Sequence, residues 1–169
     1  MKYPSVLLAG LLGALVLALP AAAGEKTMVG WIEKVRIYPG NFLVHAKLDS
    51  GAEYSSLDAA NLTQFDRDGQ PWVRFDVIEG DGRKITIERP LLRNATIKRH
   101  YLQAQTRPVI KLGVCLGNLY KETEVNLVDR TGFNYRMLIG RKFMEGAVII
   151  DPSAKYTVEP NCPNPAGLE

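Results

Sequence analysis

Leu48-Asp49-Ser50-Gly51-Ala52, read together with Met137-Leu138-Ile139-Gly140-Arg141, decides how this chain is understood. The first stretch ends an alternating apolar segment, Phe42–Leu48, with an acid, a hydroxyl and a glycine. That order marks a strand running into a tight turn, because Asp and Ser bond their own backbone and Gly tolerates unusual φ. The second stretch is a short apolar run broken by Gly140 and Arg141. It reads as a buried strand followed by a short helix over Arg141–Glu145.

Outward from these two stretches the pattern stays that of strands. Val29–Ile37 mixes apolar and polar residues at short period, and Pro39-Gly40-Asn41 punctuates it. Trp72–Ile78 and Lys84–Arg89 alternate at period two around Glu79-Gly80-Asp81-Gly82-Arg83, which predicts a hairpin over 72–89. Thr96–Gln103, Arg107–Leu116, Lys121–Val128 and Val148–Asp151 complete the set. Ala59–Gln64 is read as one helical turn, and Trp31 and Trp72 as core or interface aromatics. Short strands at this spacing predict an all-β fold, a small closed barrel with one short C-terminal helix.

The N-terminus reads differently. Lys2 precedes an uncharged apolar core, Val6–Leu19, and Pro20-Ala21-Ala22-Ala23 supplies small residues at a cleavage position. This is the pattern of a secretory signal peptide over residues 1–23. The core is short for a bilayer span of about 20 residues; left uncleaved it would act as an anchor. The expected location is periplasmic or secreted, with no membrane association after cleavage. Residues 24–158 then form one domain, long enough to bury a core, and Glu159–Glu169 a flexible Pro-rich tail.

The 169 residues carry a net charge of +3, and no basic run is interleaved with aromatics, so nucleic acid is not an expected partner. Cys115 and Cys162 are the two cysteines. In an exported chain they suit one disulfide tying the tail to a strand; two unpaired thiols are the alternative. His45 and His100 are the only histidines, on separate strands without ligand spacing. No H-E-x-x-H and no G-x-x-x-x-G-K-[ST] occurs, so neither zinc nor ATP is an expected cofactor.

Chemistry centres on Asp49. Alone, an Asp-Ser-Gly triplet can be a turn in which the acid caps its own backbone. Asp58, Asp129 and Asp151 are expected as caps or solvated loop acids of this kind. A pair of carboxylates sharing one proton does more: the ionised partner activates water and the protonated partner polarises a carbonyl. One chain supplies one such acid, so the chemistry needs two copies.

Leu48-Asp49-Ser50-Gly51-Ala52 is similar to the catalytic turn of retropepsin-type aspartic proteases, and Leu138-Ile139-Gly140-Arg141 to the segment packed beneath that turn. Further matches extend the resemblance over about 28–158: Gly30-Trp31-Ile32-Glu33, Ser56-Leu57-Asp58-Ala59, Arg107-Pro108-Val109-Ile110 and Val148-Ile149-Ile150-Asp151-Pro152-Ser153. Together they resemble the bacterial branch labelled ATP-dependent zinc proteases and now usually described as retropepsin-like. The resemblance implies catalytic roles for Asp49, Ser50 and Gly51. It implies support or substrate contact from Ala52, Glu53, Ile139, Gly140 and Arg141, with a Glu53–Arg141 ion pair inside one subunit. It also implies a homodimer, a peptide or protein substrate bound as an extended strand, and a flap formed by the turn at Gly80-Asp81-Gly82 or by Arg93–Tyr101. Arg89 and Arg107, each beside a proline, are surface charges on this reading, with an anion-binding role as the alternative. Some members accompany ATP-grasp ligases that add glutamate to proteins; export would separate this chain from a cytoplasmic ligase. The rival expectation is a retropepsin-fold binding or scaffold protein without turnover.

Overall fold

The computed structural model describes residues 25–99 and 102–163. The expected signal segment therefore lies outside the described residues, as does His100. Strand β1 (Thr27–Tyr38) turns through Pro39–Asn41 into β2 (Phe42–Leu48), which delivers Asp49. Next come β3 (Ser55–Asp58), β4 (Ala60–Arg67), β5 (Gln70–Ile78) and β6 (Lys84–Pro90). The chain continues through β7 (Arg93–Arg99), β8 (Leu102–Leu116) and β9 (Leu119–Val128). It closes with β10 (Met137–Ile139), α1 (Arg141–Met144) and β11 (Val148–Lys155).

The larger sheet runs β11-β1-β2-β10-β3-β9-β8-β7, and a further β1–β8 pairing closes β1, β2, β10, β3, β9 and β8 into a ring. This is the small closed barrel that the alternating strands predict. Closure removes the edges of the ring strands. Its interior is filled by Val35, Ile37, Val44, Ala46, Leu57, Ile110, Leu112, Val125, Met137 and Phe143, none with measurable exposure. β11 adds in parallel to β1 outside the ring, and Gly30 is the contact point. A Cβ there would lie 2.5 Å from the Ala154 carbonyl oxygen, so only glycine fits beneath that strand.

A second, three-stranded sheet, β4-β5-β6, packs Val73, Phe75, Val77 and Ile87 into the same core. It contains the expected 72–89 hairpin, but the helical turn expected at 59–64 is strand β4. The cause is the turn after it. Asp68 and Gly69 both have positive φ, and Asp66 Oδ1 accepts the Gly69 N–H at 2.9 Å. This folds β4 back onto β5, with Phe65 opposite Trp72. The two tryptophans are half-buried rather than core. The Arg67 guanidinium covers Trp72 at 4.2 Å, and Lys155 covers Trp31 at 4.8 Å.

Asp76, on β5, is nearly buried. Its carboxylate accepts from Thr86 Oγ1 at 2.6 Å and Asn61 Nδ2 at 2.8 Å, and Lys84 lies 3.5 Å away. The Thr86 bond, then the Asn61 bond, hold the carboxyl below its usual range. A depressed carboxyl stabilises the fold above its unfolded pKa of about 4 and stops doing so as pH falls through its folded value. Asp76→Asn should therefore lower the urea midpoint at pH 7 and flatten its fall below about pH 4. Parallel acid limbs for the two proteins would contradict this.

Cys115 and Cys162 form a disulfide. Of the segment expected as a flexible tail, residues 159–163 are described and lie against the barrel. Pro160 is buried, Glu159 pairs with Lys34 at 2.6 Å, and the Asn161 N–H donates to the Gly117 carbonyl at 2.8 Å. Upstream, the fully buried Glu33 carboxylate accepts the N–H groups of Gly30 and Thr157 and the Thr157 hydroxyl, at 2.6–2.9 Å. Replacing both cysteines by serine should cost about 3–4 kcal/mol for a crosslink of this span, read as a lower urea midpoint. An unchanged midpoint would mean that Glu33 and its partners hold the segment unaided.

Candidate active site

The turn that β2 delivers is laced to the start of α1 by main-chain bonds. The Asp49 N–H donates to the Ile139 carbonyl at 2.9 Å, Arg141 N–H to Ala52 carbonyl at 2.8 Å, and Lys142 N–H to Glu53 carbonyl at 3.0 Å. Gly140 N–H donates to Ser55 Oγ at 3.1 Å. Below, β10 runs parallel to β2 and antiparallel to β3, so Met137 and Ile139 anchor the turn from the core. Gly140 permits the approach: a Cβ on it would meet the Tyr54 and Glu53 backbone at 2.5–2.8 Å.

Asp49 itself is half-buried, and its Oδ1 accepts the Gly51 N–H at 2.9 Å. A Cβ on Gly51 would stand 3.1 Å from that oxygen, so glycine keeps the carboxylate unobstructed. Ser50 and Gly51 are exposed at the tip of the turn. Among the described residues no other carboxylate is hydrogen-bonded to Asp49. Asp129 and Asp151 are ordinary caps, each accepting the N–H and hydroxyl of the residue two further on.

Two expectations need correction. Glu53 and Arg141 do not pair. Arg141 opens α1 and its Nη1 donates to the Ser50 carbonyl at 2.8 Å, whereas Glu53 lies 3.3 Å from the next residue, Lys142. The guanidinium therefore braces the turn through its backbone. Lys142 also donates to the Tyr54 hydroxyl at 2.8 Å. That bond, followed by one from Arg93, holds the Tyr54 phenol below its usual range, and it holds Lys142 above its own. Second, Asp58 is no solvated loop acid. It is 7% exposed, accepts the Arg130 N–H at 2.7 Å and pairs with Arg136 at 2.6 Å.

Cavities flank the turn. On one side lies a groove of about 700 Å³ bounded by Ser50, Glu53, Arg141, Met144, Val148 and Ile150. On the other lies a cavity of about 500 Å³ whose floor is Ala52, Ser56 and Leu138 and whose wall is the β7–β8 hairpin, with Arg93 and Arg107. The turn at Gly80-Asp81-Gly82 lies elsewhere, against His45 and Tyr156. Of the two flap candidates, only β7–β8 faces Ala52.

Arg130, in the loop between β9 and β10, also lines this second cavity. Burial pulls its guanidinium below its usual range, and the carboxylates of Asp58 and Asp49 oppose that shift. The amino-acid order singles out neither Arg130 nor Tyr54, and Ser56 enters only within the Ser56-Leu57-Asp58-Ala59 match. A loop Arg after Asp129 carries no mark of burial, and alternation puts Ser56 on the face of β3 opposite the core residue Leu57.

A closed six-stranded barrel that laces an acid turn onto a Gly-Arg helix start is a retropepsin-like domain. A family model described as "RimB-like: Retropepsin-like aspartic endopeptidase RimB" matches residues 28–161, and the chain belongs to that family. It is 35% identical over 116 residues to a protein of Shewanella pealeana named probable alpha-L-glutamate ligase, covering 67% of this chain and 25% of that protein. A Desulfotalea psychrophila protein of the same name is 36% identical over 113 residues, covering 65% and 24%. The chain thus spans about a quarter of the length of the curated relatives it matches. Among solved structures, a Legionella pneumophila protein of unknown function superimposes with a TM-score of 0.69 at 30% identity. That match covers 80% of this chain and 100% of the Legionella chain.

Proposed function

We propose that this chain is an exported aspartic endopeptidase, active as a homodimer in which each copy contributes Asp49, and that it cleaves peptides rich in acidic residues. The observation that carries this reading is the exposed Asp49 turn, held rigidly by Ile139, Gly140, Arg141 and Lys142. Rigid placement is what a carboxylate pair needs, since two acids sharing a proton must be held within about 3 Å. In the dimer the ionised Asp49 takes a proton from water, whose oxygen attacks the scissile carbonyl. The protonated Asp49 gives its proton to that carbonyl oxygen. Collapse of the tetrahedral adduct, with a proton passed to the leaving nitrogen, breaks the C–N bond and restores one shared proton. An extended peptide would lie between the turn and the β7–β8 hairpin.

Support for export comes from the disulfide, which persists in oxidising compartments, and from the character of residues 1–23. Support for acidic peptides comes from Arg93, Arg107 and Arg130 around the cavity beside Ala52. The relatives' printed name, a glutamate ligase, fits the same substrate chemistry. A single candidate catalytic carboxylate per chain favours the second reading, a peptide-binding protein without turnover, if the protein is monomeric.

The test combines sedimentation of residues 24–169 with cleavage of a mixed peptide library from pH 3.5 to 7.5. A dimer giving a bell-shaped profile, the signature of a coupled pair, is expected. A dimer that cleaves nothing across this range would overturn the protease reading, and a strict monomer would favour binding alone.

A further inference from the structure

Buried charges in proteins are normally paired, because an isolated ion loses more in desolvation than weak contacts return. Arg130 departs from this. It is 7% exposed, yet no carboxylate lies within ion-pair distance of its guanidinium among the described residues. Its Nε donates to the Tyr135 carbonyl at 3.1 Å and its Nη1 to Ser56 Oγ at 3.0 Å, both neutral acceptors. The Phe133 ring covers one face at 4.6 Å. Asp58, which could neutralise it, is engaged by the Arg130 backbone N–H and by the Arg136 side chain. These contacts fix the guanidinium plane and leave Nη2 without a protein partner among the described residues, on a side chain that lines the cavity with Ala52, Ser56 and Leu138. Arg93, on the opposite wall, already pairs with Glu124 at 2.5 Å.

We propose that Arg130 is the specificity-determining residue of the Asp49 site, its free Nη2 receiving the side-chain carboxylate of a Glu or Asp in the bound peptide. The proposal rests on the reading of the Asp49 turn as a peptide site. It adds which residue selects the acid and why that residue is poised for it; Arg107, on the same cavity, is held through all of Nε, Nη1 and Nη2 by Gln105 and Asn126. Arg136 and Arg93 have carboxylate partners of their own. A guanidinium held on two donors by neutral groups, with Asp58 and Asp49 acting on it only from beyond ion-pair distance, still has a direct carboxylate partner to gain from the peptide. An amide of the same shape supplies no such charge.

The test is binding, so that it stands apart from turnover. A fluorescein-labelled octapeptide with a reduced central peptide bond and an amidated C-terminus is prepared with Glu throughout and with Gln throughout. Anisotropy gives Kd for the parent protein, Arg130→Gln and Arg130→Lys. The parent should bind the Glu peptide at least about tenfold more tightly than the Gln peptide, as expected for charge-assisted hydrogen bonds. Arg130→Gln should reduce that ratio to about twofold or less with the Gln peptide bound as before, and Arg130→Lys should restore part of it. A structural role would weaken both peptides equally and leave the ratio intact, which would overturn the proposal, as would a parent with no preference. A Gln peptide with a free C-terminus that binds as tightly as the Glu peptide would show that the guanidinium reads a terminal carboxylate, and would also overturn it. Absence of cleavage in the library experiment, with the ratio behaving as expected, would sink the protease reading and leave the role of Arg130 standing.

Discussion

Asp49→Asn should abolish peptide hydrolysis, by about 10³-fold or more, with the fold intact. The magnitude follows from general acid–base catalysis, which alone contributes about 10²–10⁴-fold; in a homodimer the substitution removes both members of the pair at once. The fold should survive because an Asn side-chain oxygen can still accept the Gly51 N–H that Asp49 Oδ1 accepts at 2.9 Å. The remaining anchors of the turn are main-chain bonds to Ile139 and Arg141 that the substitution does not touch. Mixing gives a sharper version. If subunits exchange, parent protein titrated with the variant should lose activity as the square of its own mole fraction, because only parent–parent pairs carry two acids. A linear loss would mean that each subunit works alone, and cleavage by the variant above about a tenth of the parent rate would remove Asp49 from the chemistry.

Gly140→Ala should be nearly as damaging by a different route. The added methyl would sit 2.5 Å from the Tyr54 carbonyl carbon and 2.6 Å from its oxygen, and 2.8 Å from the Glu53 oxygen. These are backbone atoms tied to β3 and to Lys142, so no side chain can swing aside. Either β10 or the 52–54 segment must move, and overpacking of this severity costs about 3 kcal/mol. We expect a fall in Tm of about 10 °C together with loss of cleavage, since β10 and the 52–54 segment brace the turn that carries Asp49. The order of events distinguishes this from simple instability. At a temperature where circular dichroism shows the variant fully folded, it should remain inactive; full activity there would mean that the turn tolerates the shift.

The core of this arrangement was legible in the amino-acid order because it is local. Asp49, Ser50 and Gly51 define their turn through bonds spanning a few residues, and the apolar run Met137–Ile139 must be buried wherever it lies. What escaped depends on contacts between distant segments. The Asp68-Gly69 turn went unread, and the Ala59–Leu62 stretch before it carries helix-favouring residues that pairing with β5 overrides. Asp58 reads like any turn acid until Arg130 and Arg136 are brought to it from a loop more than seventy residues away. The salt bridge expected of Glu53 fell to Lys142 rather than Arg141 because adjacent residues at the start of a helix point in different directions, and no spacing rule ranks them.

Finally, β11 ends the larger sheet, and among the described residues no strand pairs with its outer side. Such an edge is a template for runaway self-association, more so with Met28 and Ile149, register partners, exposed at 63% and 47%. The strand carries its own brake. Pro152 has no N–H, and the N–H of Ser153 is taken by Asp151 Oδ1 at 2.8 Å, so whichever of the two faces outward, a donor is missing midway along the edge. A neighbouring strand can find partners only over the first few residues, from Val148 to Asp151. Fibril growth needs an uninterrupted ladder from copy to copy, and here that ladder is broken after about one strand's worth of bonds. The protein can expose an apolar rim near its candidate active site and still resist strand-by-strand self-association.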